Sequence, residues 1–314
     1  MDSFIKRHLR GVSRTYAILI PMLPRPLADT VGLSYLLMRV VDTLEDCTAL
    51  SDGQRLERLA LLEGVLRDDN APLPPVLREP LGDTPDEAAL QREVDGVISR
   101  LRALEPEYRA AASRCAAEMI RGVRQFMTRA GQRGVPYPAV QTAEELREYC
   151  YFVAGVVGEM LCTMMAQYLK QPALLHLHDL AIELGIGLQL VNILKDACVD
   201  GERGRRYLPT MPHAGVAHAE IFKAALQEAR ESLRRGMEFV LALPAAAREL
   251  RCFCGLPIAW GALTLEGASR DASRAKIGRG AIQATILRFR ALASNDQALR
   301  RWLGGLLGPS AQPA

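Results

Sequence analysis

Apolar residues return every three to four positions along most of the chain, and no useful stretch alternates with the period of two that a half-buried strand requires. The periodicity predicts helices over 28–47, 51–67, 85–104, 107–130, 143–169, 174–200, 216–242, 245–270 and 279–304. Three of the starts carry capping signals: Ser51 with Gln54, Thr84 with Pro85 and Glu87, and Thr142 with Glu145. Breaks fall at the Pro-rich stretch from Ala71 to Pro80, from Gly131 to Pro138, and from Gly201 to Pro212. None is long or biased enough to act as a linker, no repeat of fixed period is visible, and only Gly308 to Ala314 reads as a frayed tail. The expectation is an all-α protein forming one domain over residues 1–314.

Three apolar stretches bear on the protein's class, because a membrane segment would change it. Tyr149 to Tyr168 is nearly all apolar but carries Glu159 at its middle, where a lone carboxylate costs several kcal/mol in lipid. Cys252 to Leu265 is uncharged, short, and contains Pro257. Near the start, Lys6, Arg7, Arg10 and Arg14 precede apolar Tyr16 to Leu23, but Pro21 interrupts that run and no small-x-small cleavage site follows. Buried helices of a cytoplasmic protein are expected, with any membrane contact peripheral to the inner face.

A length of 314 residues with 49% hydrophobic and 24% charged side chains allows a large buried core and excludes disorder. The balance of 39 basic against 36 acidic side chains is too even and too dispersed to point to nucleic acid. Seven cysteines, an odd number with no CxxC pair, suit a reducing compartment.

Two acidic constellations carry the chemistry. In the first, Asp42, Glu45 and Asp46 follow the apolar run Leu33 to Val41, with Arg39 one turn earlier. Positions i, i+3 and i+4 share a helix face, so three carboxylates are expected to project together. In the second, Gln189, Asn192, Asp196 and Asp200 form a polar stripe on a helix whose other face is Leu, Val and Ile, with Lys195 beside it. Like charges set together on an apolar element call for a cation, and hard oxygen donors suit magnesium, which keeps waters and bridges to phosphate oxygens. Downstream, the glycine-rich loop with Arg203, Arg205, Arg206, Tyr207 and Pro209 offers guanidinium forks for a diphosphate. Taken alone, these patterns equally describe solvated helix ends and a basic surface loop. Taken together, they describe a diphosphate held through magnesium and arginine, and they leave open cyclisation, chain elongation and head-to-head coupling.

With these residues in place, the sequence resembles the squalene and phytoene synthase family, in order over most of the chain. Ser13-Arg14-Thr15-Tyr16 is similar to its N-terminal diphosphate motif, and Arg39 to Asp46 resembles the first aspartate-rich motif. Tyr149 to Gly158 resembles the YCxxVAGxVG segment, and Gln189 to Pro209 resembles the second aspartate-rich motif with its GR-aromatic-x-P tail. Phe253 to Pro257 and Lys276 to Gly280 are similar to the FCxxP and KIxxG stretches of the squalene-forming members; Glu159 after Gly158 instead resembles dehydrosqualene-forming ones. Lys195 and Val199 depart from the usual Arg and Glu, so that one diphosphate contact loses its fork.

The resemblance implies a class I isoprenoid synthase helical bundle around a central cavity, active as a monomer. It implies Mg2+ (with Mn2+ as a substitute) on Asp42, Glu45, Asp46, Asn192, Asp196 and Asp200, and diphosphate on Ser13, Arg14, Arg39, Gln189, Lys195, Arg205 and Tyr207. Tyr149 is the expected proton-removing or diphosphate-orienting residue, and Asn192, Lys276 and Arg279 the expected contacts of NADPH. The implied reaction joins two farnesyl diphosphates through presqualene diphosphate to squalene. The rivals are a dehydrosqualene or phytoene synthase that needs no hydride, a class I terpene cyclase, and a non-catalytic assembly factor of the same fold.

Overall fold

The computed structural model describes residues 1–202, 206–209, 218–270 and 277–309, the side chains of Cys198, Val199, Glu202 and His218 excepted. Among the described residues the chain is helical throughout and contains no strand. The α-helices are α1 (Ser3–Val12), α2 (Tyr16–Leu19), α3 (Arg25–Asp46), α4 (Asp52–Arg67), α5 (Pro85–Arg92), α6 (Val94–Arg102) and α7 (Pro106–Arg133). They continue with α8 (Ala143–Cys150), α9 (Val156–Leu169), α10 (His178–Glu202), α11 (His218–Ala242), α12 (Arg248–Arg270), α13 (Arg279–Leu292) and α14 (Asp296–Leu307). The structure separates into two compact units, one of Met1–Met127 with Thr163–Pro172, the other of Thr128–Cys162 with Ala173–Ala314.

The sequence pattern misplaces several boundaries, each for a local reason. The 85–104 segment is two helices, because Glu93 leaves helical geometry (φ −101°, ψ 22°) while its carboxylate receives both guanidinium nitrogens of Arg7 at 2.9 and 2.6 Å. The 279–304 segment also divides, since Asn295 turns extended and its side chain accepts the Ala298 N–H at 3.0 Å, capping α14. Helix α1, which the periodicity did not predict, is capped by Asp2 and buries Phe4, Ile5, His8 and Leu9. Residues 216–217 of the expected 216–242 helix lie outside the described residues.

The Ser51 and Thr84 capping boxes form in full. Thr142 is only half of one: its side chain accepts the Glu145 N–H, while the Glu145 carboxylate is taken by Arg133 at 2.6 Å and by the Gln141 N–H at 2.8 Å.

The first unit is organised around α3, apolar on nearly all sides and buried from Leu27 to Leu44 except at Asp29, Tyr35, Arg39 and Asp42. A helix hydrophobic all round is a core helix, and α1, α4, α5 and α6 pack on it. In the second unit α10 packs against α11, α12 and the segment that joins α8 to α9. Glycine makes the close approach possible: a Cβ on Gly158 would collide with the backbone carbonyl oxygen of Ala181, and one on Gly185 with that of Ala154.

Arg251 fastens the helix ends of this unit. It is 1% exposed, and its guanidinium donates to the carbonyls of Leu241 in the last turn of α11 and Leu243 just after it, to the Ala293 carbonyl after α13 at 3.0 Å, and to Asp296 of α14 at 2.6 Å. These are carbonyls that helix termini leave without an intrahelical donor.

Pro257 sits inside α12, which runs unbroken through it, and Phe253 and Cys254 are buried there. Two stretches, Ala143–Leu169 and Pro172–Ala197, are long and apolar enough to cross a membrane. Their most apolar windows are 67% and 61% buried within the protein, as core helices are. The six cysteines with described side chains are buried, and no disulfide joins any two of them.

Candidate active site

In the first unit the first aspartate-rich stretch ends α3, where the core helix reaches the surface. Asp42 and Asp46 are half-buried and one turn apart, whereas Glu45 is buried at 2% exposure. The three carboxylates therefore do not project together: the exposed stripe is the pair at i and i+4, and Glu45 faces the interior. The expectation of three convergent acids placed too much on spacing, since 100° per residue separates positions 45 and 46 enough for one to be buried and the other not.

Arg39 organises the ground around Asp42. One guanidinium nitrogen is bonded to the Asp42 carboxylate, and the other donates to Glu87 of α5 at 2.6 Å. Burial pushes the Asp42 carboxyl above its ordinary value; Arg39 opposes that shift, and Glu87 adds to it. Burial also works against the charge on Arg39, but Asp42, Tyr35, Glu87 and Asp46 outweigh it and raise its pKa. The pair thus holds Arg39 and Asp42 against each other at the end of α3.

The N-terminal motif lies beside the same network. The Ser13 hydroxyl oxygen accepts the Tyr16 N–H at 3.0 Å, and the Tyr16 and Tyr35 rings lie 5.1 Å apart. Burial raises the Tyr35 hydroxyl pKa. Tyr35 is one turn before Arg39 on α3, which sets Ser13, Tyr16 and Tyr35 next to the cluster of Arg39, Asp42 and Glu87. Arg14 is exposed beside it.

In the second unit the polar stripe of α10 is present. Leu190, Val191, Ile193 and Leu194 are buried, Asn192 is exposed, and Gln189, Lys195, Asp196 and Asp200 are half-buried. The Lys195 ammonium lies 3.1 Å from the Asp196 carboxylate and 3.4 Å from the Asn192 Oδ1. It occupies the side of Asp196 as a compact charge, without the fork an arginine would present.

Tyr149, at the end of α8, is 3% exposed and packs between Tyr137, 6.5 Å away, and Tyr207, 5.4 Å away. Directly after it the chain forms a π-helical turn, Tyr151–Gly155, before α9 resumes regular geometry. Such a turn widens the helix by one residue and is common where a side chain must be re-aimed. Arg205 and Lys276, with Arg203, lie outside the described residues, and Arg279 is exposed at the start of α13.

The donor chemistry fits magnesium. Within each unit taken by itself two carboxylates stand one turn apart, Asp42 with Asp46 and Asp196 with Asp200, and magnesium binds through one or two carboxylates when phosphate oxygens and water complete its shell. No group of three or more His, Cys, Asp or Glu able to form an all-protein cage occurs among the described residues. Of the expected contacts of the nicotinamide cofactor, Asn192 and Arg279 are exposed and Lys276 lies outside the described residues.

Sequence reasoning missed Glu87, which had an apparently complete role as a capping residue, and Tyr35, which sat within an apolar run. The signal available for Tyr35 was its i, i+4 spacing from Arg39.

Comparison with known proteins bears on this arrangement. The squalene/phytoene synthase family profile matches residues 9–271. The chain belongs to the squalene/phytoene synthase family. Within it, the chain is 30% identical over 204 residues to a squalene synthase of Schizosaccharomyces pombe, a stretch covering 63% of this chain and 42% of that protein. It is 31% identical over 189 residues to the squalene synthase BSS of Botryococcus braunii, 60% of this chain and 38% of the other. The chain thus spans well under half the length of these curated relatives.

In fold, it superposes on a solved TcSQS in complex with the ligand BPH1237 with a TM-score of 0.82 at 22% identity, over 99% of this chain and 93% of the other. A dehydrosqualene synthase structure gives a TM-score of 0.57 at 20% identity, over 92% and 95%. Likeness at this identity concerns the fold, which is the all-α isoprenoid synthase fold.

Proposed function

We propose that the protein is a squalene synthase, coupling two farnesyl diphosphates head to head and reducing the presqualene diphosphate so formed to squalene with NADPH. The observation that carries the reading is the half-buried Asp42 and Asp46 pair at the end of a core helix, beside an Arg39 already oriented by Asp42 and Glu87. Similarity to curated proteins named squalene synthase favours this product over an unreduced one.

In this reading Asp42, Asp46, Asp196 and Asp200 hold Mg2+, with Asn192 assisting. The metal supplies charge stabilisation to the departing diphosphate. Ser13, Arg14, Arg39, Gln189, Lys195, Arg205 and Tyr207 bind and orient the diphosphate oxygens, arginine by its fork and Lys195 as a point charge. The allylic C–O bond of one farnesyl diphosphate breaks with loss of diphosphate, and the 2,3-alkene of the other attacks the resulting cation. Tyr149 then takes or relays the proton whose loss closes the cyclopropane, its ring fixed between Tyr137 and Tyr207. The reduction that follows rests on similarity to the relatives. The enzyme is taken as a cytoplasmic monomer that meets the membrane peripherally when the hydrocarbon leaves.

The test is product identity. Purified protein is incubated with farnesyl diphosphate and Mg2+, with and without NADPH, and the hydrocarbon is identified by mass spectrometry. Squalene formed only with NADPH is expected; a product unchanged by NADPH overturns the squalene assignment in favour of a dehydrosqualene-type enzyme.

A further inference from the structure

The first unit contains a recess whose lining shares no residue with the Arg39 network. It has a volume of about 400 Å³ and an apolar wall that includes Leu9, Pro21 and Leu23, while Lys6, Arg10 and Arg25 complete its lining. That volume is within the range of about 300–1,000 Å³ that small-molecule sites occupy. Lys6 and Arg10 stand at i and i+4 on α1, so they share one face of the helix, with buried Leu9 between them.

These three cations differ from their neighbours in their pairing, although the Asp86 carboxyl lies against Gly11, next to Arg10. Arg7 of the same helix is engaged bidentately by Glu93. Lys6, Arg10 and Arg25 make no ion pair among the described residues. The acids close to them in the chain are committed elsewhere: Asp2 caps α1 and faces Arg100 at 3.6 Å, and Asp29 accepts the Asp2 N–H at 2.6 Å. Helix α3 begins at Arg25 with no side chain capping its first turn, so its positive end adds to the same potential. Three like charges gathered around an apolar recess repel one another, an arrangement an anion would relieve. Pro21 beside the recess and Ile18 of α2 (42% exposed) extend the apolar surface outward.

We infer that this recess binds a phosphate ester carrying an aliphatic chain, the phosphate among Lys6, Arg10 and Arg25 and the chain along Leu9, Pro21 and Leu23. The same chemistry is offered by an anionic phospholipid in a membrane surface and by a single soluble lipid phosphate. The inference is independent of the reaction proposed above, because none of these residues belongs to the candidate active site.

Co-sedimentation with vesicles of phosphatidylglycerol, compared with vesicles of phosphatidylcholine, tests it, alongside calorimetric titration with monomeric dihexanoyl phosphatidylglycerol. The protein should prefer the anionic lipid. Since each basic residue near an anionic surface strengthens binding about fivefold, the variant Lys6→Gln, Arg10→Gln, Arg25→Gln should weaken it about a hundredfold. Farnesyl diphosphate turnover without vesicles and the unfolding temperature should not move, which shows that the variant is folded. Binding to vesicles alone identifies the membrane surface as the source, and binding to the monomeric lipid as well identifies the headgroup itself; both support the inference when lost in the variant. If the triple variant does not fold, the wild type alone decides: its anionic binding must fall steeply with added salt. Equal affinity for the two lipids, or a folded variant that binds like the wild type, overturns it.

Discussion

The guanidinium of Arg39 on α3 donates to the carboxylate of Glu87 on α5 at 2.6 Å while its other arm holds Asp42. Glu87 therefore serves two ends: its other oxygen accepts the N–H groups of Asp83 and Thr84 that start α5. Replacing it with glutamine keeps the capping geometry, since either residue completes the box, but removes the charge that steadies Arg39. Glu87→Gln should lower kcat/KM for farnesyl diphosphate by about 10-fold, the lower end of what supporting partners of a metal site contribute, with little change in unfolding temperature. Glu87→Ala should show the same kinetic loss and forfeit about 1 kcal/mol of stability in denaturant titration as the cap is lost.

Arg251 gives a purely structural prediction. Its removal leaves the buried carbonyls of Leu241, Leu243 and Ala293 without their donor, at about 1–3 kcal/mol for each group that water does not reach. Arg251→Met, which keeps the apolar stem, should cost about 3–5 kcal/mol in urea unfolding, comparable to breaking a buried ion pair.

The acid limb of stability should depend on Glu93. The paired guanidinium of Arg7 holds its carboxyl down from 4.5 to about 2. A pKa depressed in the folded state contributes stability that is complete above the unfolded value and is lost as pH falls through the folded one. Unfolding measured between pH 5 and pH 2 should therefore show wild type and Glu93→Gln converging toward the acid end of this window.

Much of this architecture was legible in the sequence because periodic burial and capping act locally. The polar stripe of α10 and two of three capping boxes follow from spacing alone. What spacing could not supply was competition from elsewhere in the chain. Glu145 abandons Thr142 for Arg133. Glu93 breaks a helix to meet Arg7, 86 positions away. Glu45, expected from its register to project with Asp42 and Asp46, is buried because α3 has core on that side too. The π-helical turn after Tyr149 is equally invisible to a 3.6-residue period, since it depends on how α10 packs against it.

The central claim is that the carboxylates of α3 and α10 both serve the departure of diphosphate. The most direct measurement is pyrophosphate release from farnesyl diphosphate under saturating Mg2+ by Asp42→Asn and Asp196→Asn, with unfolding temperature recorded for each. Losing metal-based charge stabilisation of several kcal/mol should slow release by about 10³-fold in either variant while both remain folded. A folded variant of either kind that releases pyrophosphate within about threefold of wild type, well under 1 kcal/mol of barrier, would contradict the account.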